Sequence, residues 1–196
     1  LCHWTFFLLG RLPPSPSPLS RGGPVGPRAC LICAAWWLLR ETEVANLRAA
    51  RVGFVPRDIL SVRLTLPASK VDQNAEGVQR THVCQCSPAV AKPRADCPVH
   101  EVLGQTALLR KLFPGKVANG NFCLSLPLFP NIFGHAVDKK SFVETARAAC
   151  AMTGQMVTSP DGAQTVTGHS LRAAGARGLA MLGLDANTIG RIGRWG

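Results

Sequence analysis

The stretch that opens near Thr167 constrains the fold most, because small and apolar residues recur along it at helical spacing. They fall at i, i+3, i+4, i+7, i+8 and i+11: Leu171, Ala174, Gly175, Gly178, Leu179 and Leu182. This spacing predicts a helix with one buried face, and its glycines predict close approach of another backbone. Gly183 is expected to end this helix and Asp185 to cap the next, with Ile189 and Ile192 facing inward.

The other periodicities predict further helices around one small sheet. An apolar stripe from Cys30 to about Ala50 indicates a helix that includes Arg40. Residues 62–66 and 78–83 alternate like strands and are expected to form a hairpin. Further helices are expected at 99–112 and, capped by Asp138, up to Met152. The predicted fold class is therefore mainly α with a small antiparallel sheet (α+β).

Residues 1–29 form a leader rich in proline, glycine and serine, which resists helix and sheet. We expect it to be disordered or a non-native flanking sequence, followed by one domain over residues 30–196. Because the chain begins with Leu1 and ends at Gly196, inside a motif, we expect it to be a fragment.

The net charge of +11, from 22 Lys and Arg against 11 Asp and Glu, favours polyanionic partners such as nucleic acid or an acidic membrane surface. The apolar run Trp4–Leu9 is too short to span a bilayer and lacks the flanks of a signal peptide, so no membrane segment is expected. Several of the eight cysteines lie beside histidine, which favours metal binding over a disulfide scaffold and predicts a reducing, intracellular compartment.

The insert at residues 82–100 contains a Cys-x-Cys pair and a Cys-x-x-His pair. Their four side chains, Cys84, Cys86, Cys97 and His100, fit a tetrahedral structural zinc site, although the spacing matches no standard finger. His82 is an alternative ligand, and a set of free thiols is the alternative interpretation. Cys30 and Cys33 are weaker candidates, because no second pair lies near them in the sequence.

Four basic residues are candidates for binding an anion: Arg40, Lys70, His169 and Arg172. Arg40 lies within an apolar stripe, where a cation needs an anion or a buried acid such as Glu43. His169 and Arg172 share one face at the start of a helix, where free N–H groups favour phosphate. The alternatives are an ion pair or simply the end of a helix for Arg40, a solvated turn for Lys70 and an ordinary helix start for the pair.

Taken in order, these segments resemble the catalytic domain of tyrosine recombinases of the phage-integrase type. Residues 39–44 resemble the box that carries the first arginine, Arg40, with glutamate three positions later. Lys70 occupies the hairpin position of the catalytic lysine, and residues 168–172 match the His-x-x-Arg box. Residues 192–195 resemble the box with the second His or Trp, a role that falls to Arg194 or Trp195. The Cys/His insert is similar to recombinase-like proteins of eukaryotic mobile elements, which would place the parent protein in a nucleus.

The resemblance implies cleavage and rejoining of double-stranded DNA through a phosphotyrosine intermediate, for recombination or integration, with no metal needed for the reaction. Arg40 and Arg172 would hold the phosphate, Lys70 would protonate the leaving 5′-oxygen, and His169 would assist proton transfer. It also implies a homo-oligomer on DNA when the chain is full length.

The 196 residues contain no tyrosine, so the chain as given is expected to bind DNA without cutting it. The complete parent would carry the nucleophile beyond residue 196. Two other interpretations are a catalytically inactive DNA-binding relic and a zinc-stabilised module that reads DNA with a helix-turn-helix.

Overall fold

A computed structural model describes residues 5–55, 59–66, 77–86 and 93–195 of the chain. Its helices are α1 Thr5–Gly10, α2 Pro27–Trp36, α3 Glu41–Asn46, α4 Pro98–Leu112, α5 Lys139–Met152, α6 Ser170–Met181 and α7 Ala186–Gly193. Its strands are β1 Val52–Val55, β2 Ser61–Leu66, β3 Val78–Val83, β4 Val117–Ala118 and β5 Asn121–Phe122. The larger sheet has the antiparallel order β1-β2-β3. The predicted α+β class, mainly helical with a small sheet, is confirmed.

Helix α2 lies at the centre of the core, since all its residues from Ala29 to Trp36 are buried. A helix that is apolar all round must be covered on every side, and α1, α4 and α6 cover it. Helix α6 approaches so closely that a Cβ on Gly175 would come within 2.1 Å of the Ala35 carbonyl oxygen. The close approach predicted for this glycine is confirmed.

The single helix predicted from Cys30 to about Ala50 is wrong, because the chain turns between α2 and α3. Leu38 adopts a positive φ of 52°, and Arg40 is extended at the N-cap position of α3. The side chains of residues 37–39 are all buried, which one straight amphipathic helix does not allow. The apolar stripe thus arose from two short elements, and Arg40 lies at their junction.

The predicted hairpin is confirmed, with β2 and β3 paired in the register Leu66↔Val78 to Ser61↔Val83. Val62, Leu64 and Leu66 face the core, as strand alternation requires. The sequence did not reveal β1, whose four residues are all half-buried and therefore show no alternation.

The predicted helix caps are confirmed. Asp138 begins α5 by accepting a hydrogen bond from Ser141 N–H at 2.8 Å. Asp185 begins α7 in the same way, accepting from Thr188 N–H at 3.0 Å. The inward position predicted for Leu182 is wrong, since α6 ends at Met181 and Leu182 is 51% exposed.

Residues 5–29 pack on the core, which differs from the disorder expected of this segment. Phe6, Leu9 and Leu12 are buried, and the ring of Phe6 stacks on Trp36 with centroids 4.4 Å apart. These apolar residues find partners even though the surrounding composition is that of a linker. The domain boundary at residue 29 stays a prediction.

Among the described residues, the helices are too short or too polar to cross a lipid bilayer.

Candidate functional site

The buried carboxylate of Glu43, on α3, contacts the backbone of the nearby Arg40 and the side chains of two arginines from a distant part of the chain, Arg172 and Arg194. Its Oε2 accepts a hydrogen bond from the backbone N–H of Arg40 at 2.8 Å and lies 3.9 Å from Nη1 of Arg172. Its Oε1 accepts a hydrogen bond from Nη2 of Arg194, just after α7. One acid thereby connects α3, α6 and the end of α7, and we call this group the Glu43 cluster.

Arg172 is the most deeply buried arginine of the Glu43 cluster, with 6% of its surface exposed. Its Nη2 donates to the carbonyl oxygen of Gly193, and its guanidinium carbon lies 5.4 Å from the ring centre of Trp195. Burial lowers the pKa of Arg172 below its usual range; the charge of Glu43 opposes this shift, while the cations Arg40 and Arg194 add to it. The cluster therefore holds more positive charge than its own acid neutralises.

Arg40 is half-buried at the N-cap of α3, and its charge is close enough to Arg172 to contribute to the lowered pKa of that residue. The acid proposed as its partner, Glu43, instead pairs through its carboxylate with the side chains of Arg172 and Arg194. No carboxylate of the described residues forms an ion pair with the Arg40 side chain. It is thus a cation positioned beside two others.

The sequence predicts one role for either of two residues, Arg194 or Trp195, and both lie at the Glu43 cluster. Arg194 has a left-handed backbone, with φ 55°, at the C-cap of α7 and pairs with Glu43. Trp195 is 49% exposed and lies against Arg172. Gly193 permits this turn, since a Cβ there would come within 2.8 Å of the Trp195 ring.

His169 is the exposed N-cap residue of α6, whereas Arg172, three residues later, is buried. The two therefore differ in exposure, although the sequence placed them on one face. Glu41 lies beside this helix start, because a Cβ on Gly168 would come within 2.7 Å of its Oε2. Lys139 pairs with Glu41 at 3.2 Å, so this second acid has its own cation.

Glu41 was missed by the sequence analysis, although it directly follows Arg40. Burial acts to raise the pKa of Glu41, but hydrogen bonds from the backbone and Lys139, together with the charges of Lys139 and His169, lower it overall. The carboxylate is therefore held in its charged form next to the exposed imidazole.

Lys70, the remaining predicted catalytic residue, lies outside the described residues. Arg80, on β3, was not predicted and lies near Arg194, whose charge together with burial lowers the pKa of Arg80. The alternation of the strand could have indicated this residue. Val78, Arg80 and His82 alternate with exposed residues and therefore share one face of β3.

The predicted metal ligands come together where β3 leads towards α4. The ligand atoms of Cys84, Cys86, Cys97 and His100 all lie within 4.8 Å of one another. The sulfurs of Cys84 and Cys97 are 3.8 Å apart, and His100 Nδ1 lies 3.4 Å from the sulfurs of Cys86 and Cys97. Ligand atoms of a tetrahedral zinc ion lie about 3.5–3.8 Å apart, given Zn–S of about 2.3 Å and Zn–N of about 2.0 Å. These four residues could hold a metal ion such as zinc.

Backbone N–H groups point at the sulfurs of this Cys/His cluster. Gln85 N–H donates to Cys97 Sγ at 3.4 Å, and Arg94 N–H donates to Cys86 Sγ at 3.2 Å. Such hydrogen bonds stabilise thiolates, which are the form of cysteine that binds metal. The electrostatics of the cluster thus fit a cation at its centre.

The alternative ligand His82 lies elsewhere. Its ring packs edge-on against Trp36 and Trp37, and its Nε2 lies 3.1 Å from the Trp36 carbonyl oxygen. Burial lowers the pKa of His82 to about 4. Cys30 and Cys33 are fully buried in α2, where burial raises the pKa of each thiol, so these two are packing residues.

No family model matches the chain, and no curated protein matches it. Among solved structures, the chain is similar to one titled FLP Recombinase-Holliday Junction Complex I, at 13% identity and a TM-score of 0.47. The similarity covers 87% of this chain and 37% of that one, so this chain spans little more than a third of its length. Because this TM-score is too low to define a shared fold, the function proposed below rests on this chain's own residues.

Proposed function

We propose that the Glu43 cluster binds the phosphodiester backbone of double-stranded DNA, and that the chain is part of the catalytic domain of a tyrosine recombinase. The observation that carries this proposal is that the guanidiniums of Arg172 and Arg194 share the single carboxylate of Glu43, while a third cation, Arg40, is close enough for its charge to act on Arg172. An anion from outside the chain would balance the excess charge.

A phosphate is the anion that best fits this arrangement. Guanidinium groups bind the paired oxygens of a phosphate through parallel hydrogen bonds, and partial burial strengthens each of them. The net charge of +11 provides long-range attraction to a nucleic acid. The half-exposed Trp195 adds an indole N–H and an apolar surface beside Arg172.

The recombinase assignment comes from the order of the motifs, and it is supported by the proximity of Arg40, Arg172 and Arg194. The resemblance gives Arg40 and Arg172 the role of holding the non-bridging oxygens, and gives His169 a proton-transfer role. Lys70 would protonate the leaving oxygen, and Arg194 or Trp195 would complete the phosphate site. A parent protein that supplies a tyrosine would cut and rejoin DNA, whereas the 196 residues alone would only bind it.

A helix-turn-helix is the second candidate, because α6 and α7 pack together across the tight turn at Gly183. Asn187 and Arg191 are exposed on α7, which would then be the helix that enters the major groove. In this alternative, the arginines of the Glu43 cluster would stabilise the fold and α7 would contact the bases.

We also propose that the Cys/His cluster binds a structural zinc ion. Three sulfurs and one imidazole nitrogen form a closed tetrahedral set, which has no open position for a substrate. The ion would fix the end of β3 to the start of α4.

The experiment for the DNA proposal measures affinity for a short mixed-sequence duplex as the salt concentration is varied. Arg40→Gln removes a cation that has no acid partner among the described residues, so the protein should still fold. We expect roughly ten-fold weaker binding at about 0.1 M salt and a salt slope shallower by about one. Lys111→Gln, an equal charge change at an exposed position in the last turn of α4, is the matched control and should leave the slope unchanged.

An unchanged slope for Arg40→Gln would contradict the DNA proposal. If binding were instead abolished by Asn187→Ala with Arg191→Ala and left intact by Arg40→Gln, the helix-turn-helix would be the function.

A further inference from the structure

Arg80 occupies a position on β3 where the pattern of the strand calls for an apolar residue. Residues of β3 alternate between half-buried and exposed, and Arg80 is among the half-buried ones. It pairs across the hairpin with Leu64, which is 1% exposed. Directly opposed residues of an antiparallel pair share one face of the sheet, so Arg80 stands on the inner face.

Arg63 provides the contrast within the same hairpin. It is exposed and pairs with the exposed Thr81, on the outer face of the sheet. A cation on that face is an ordinary solvated residue, whereas a cation on the inner face loses hydration and needs a reason to be there.

The backbone around Arg80 holds its guanidinium in place without neutralising it. Nη1 donates to the Gln79 carbonyl oxygen at 3.1 Å, and Nη2 donates to the Arg191 carbonyl oxygen at 3.2 Å. The Arg80 carbonyl oxygen accepts a hydrogen bond from Trp37 Nε1 at 3.3 Å, which fixes the strand itself. No carboxylate of the described residues pairs with Arg80.

Arg194 lies close by, since its backbone N–H donates to the same Arg191 carbonyl oxygen at 3.3 Å. Burial, together with the charge of Arg194, lowers the pKa of Arg80. The carboxylate that pairs with Arg194 belongs to Glu43, which also forms an ion pair with Arg172. Two guanidiniums held close together, one of which pairs with no carboxylate of the described residues, create a site for an anion.

We propose that Arg80, together with Arg194, forms a second phosphate-binding subsite beside the Glu43 cluster. Its ligand is a backbone phosphodiester of the same nucleic acid strand, next to the one held by Arg40 and Arg172. This inference rests on the proposed function, since it extends the same DNA-binding surface from α3, α6 and α7 onto the hairpin. Arg80 positions the strand on the surface and takes no part in the chemistry.

The test uses the salt dependence of duplex binding, measured by fluorescence anisotropy on the full chain. Arg80→Gln should make the slope of log K against log salt shallower by about one and weaken binding roughly ten-fold at about 0.1 M salt. Arg63→Gln is the matched control, because it removes the same charge from the opposite face of the same hairpin and should change the slope little. Arg80→Lys keeps the charge and should keep the slope.

The outcomes separate a phosphate contact from a purely structural role. If Arg80 only ties β3 to α7, Arg80→Gln lowers the melting temperature but leaves the slope of the folded protein as it was, and the inference fails. An equal loss of slope in Arg80→Gln and Arg63→Gln also overturns it, because the effect would then be general charge. If Arg40→Gln changes the slope and Arg80→Gln does not, only this inference falls; if neither changes it, the proposed function falls as well.

Discussion

The Glu43 cluster and the Cys/His cluster differ in whether the residues of each complete a site by themselves. In the first, the guanidiniums of Arg172 and Arg194 share one carboxylate and the charge of Arg40 acts on Arg172, so positive charge remains that a ligand from outside can balance. In the second, four potential ligand atoms lie within 4.8 Å of one another, the number that a structural metal ion with a complete tetrahedral shell requires. An incomplete site of this kind is suited to binding a partner, whereas a complete one is suited to holding the fold.

The two clusters also differ in how far apart their residues lie in the chain. The residues of the Cys/His cluster fall between residues 84 and 100, while the Glu43 cluster joins residues 40 to 43 with 172 and 194. Breaking the first should therefore disturb one junction, and breaking the second should loosen the contact between distant helices.

The largest effect is expected from removing the metal. Cys97→Ser should reduce bound zinc from about one ion per chain to none and lower the melting temperature by more than about 10 °C, because metal binding to such sites contributes about 10 kcal/mol or more. Metal analysis after gel filtration, with a cobalt-substituted spectrum to report thiolate ligands, checks this.

Cys123→Ser is the control for the metal variant, since this cysteine lies outside the Cys/His cluster. It should keep both the metal and the melting temperature. Metal-free protein with an unchanged melting temperature would show that the four residues are free thiols.

A smaller effect is expected when the buried acid of the Glu43 cluster is neutralised. Glu43→Gln leaves Arg172 and Arg194 without their shared carboxylate, and breaking a buried ion pair in this way costs about 3 kcal/mol. Urea unfolding measures the free energy of unfolding of both variants. Glu43→Gln should lower it, whereas Arg40→Gln should leave it close to that of the parent protein. Equal losses in both variants would mean that Arg40 is a structural partner and not a cation held for a ligand.

The smallest effect is expected from changing the packing of α6 against α2, which positions Arg172. Gly175→Ala puts a methyl group against the Ala35 carbonyl oxygen, and such overpacking costs about 1–3 kcal/mol. Gly190→Ala is the matched change in α7, where a Cβ meets nothing within 4 Å, and it should stabilise the protein by about 0.5–1 kcal/mol. Thermal unfolding of both variants measures the difference, which vanishes if α6 does not pack tightly on α2.

Sequence reasoning succeeded where the signal was local. The caps Asp138 and Asp185 are each defined by a side chain and an N–H three residues later, and the hairpin by alternation within six-residue strands. The four residues of the Cys/His cluster were predicted to lie together for the same reason, since both of their pairs are short motifs.

Sequence reasoning failed where burial depends on several elements at once. Helix α2 is covered on all sides, so its apolar run gave no period that would have marked its end before the turn at Leu38. Arg80 contacts α7, and Glu41 contacts α5 and the start of α6. These elements lie roughly a hundred residues further along the chain. Spacing alone does not report which charges meet across such distances.

The stacking of Phe6 on Trp36 bears on how far the chain can be shortened. A variant that starts at Cys30 would lose α1 and leave the Trp36 ring and the backbone at Gly178 without the aromatic cover that Phe6 gives both. Apolar surface uncovered in this way promotes self-association. Residues 5–29 therefore cover part of the core despite their linker-like composition. We expect the shortened protein to aggregate.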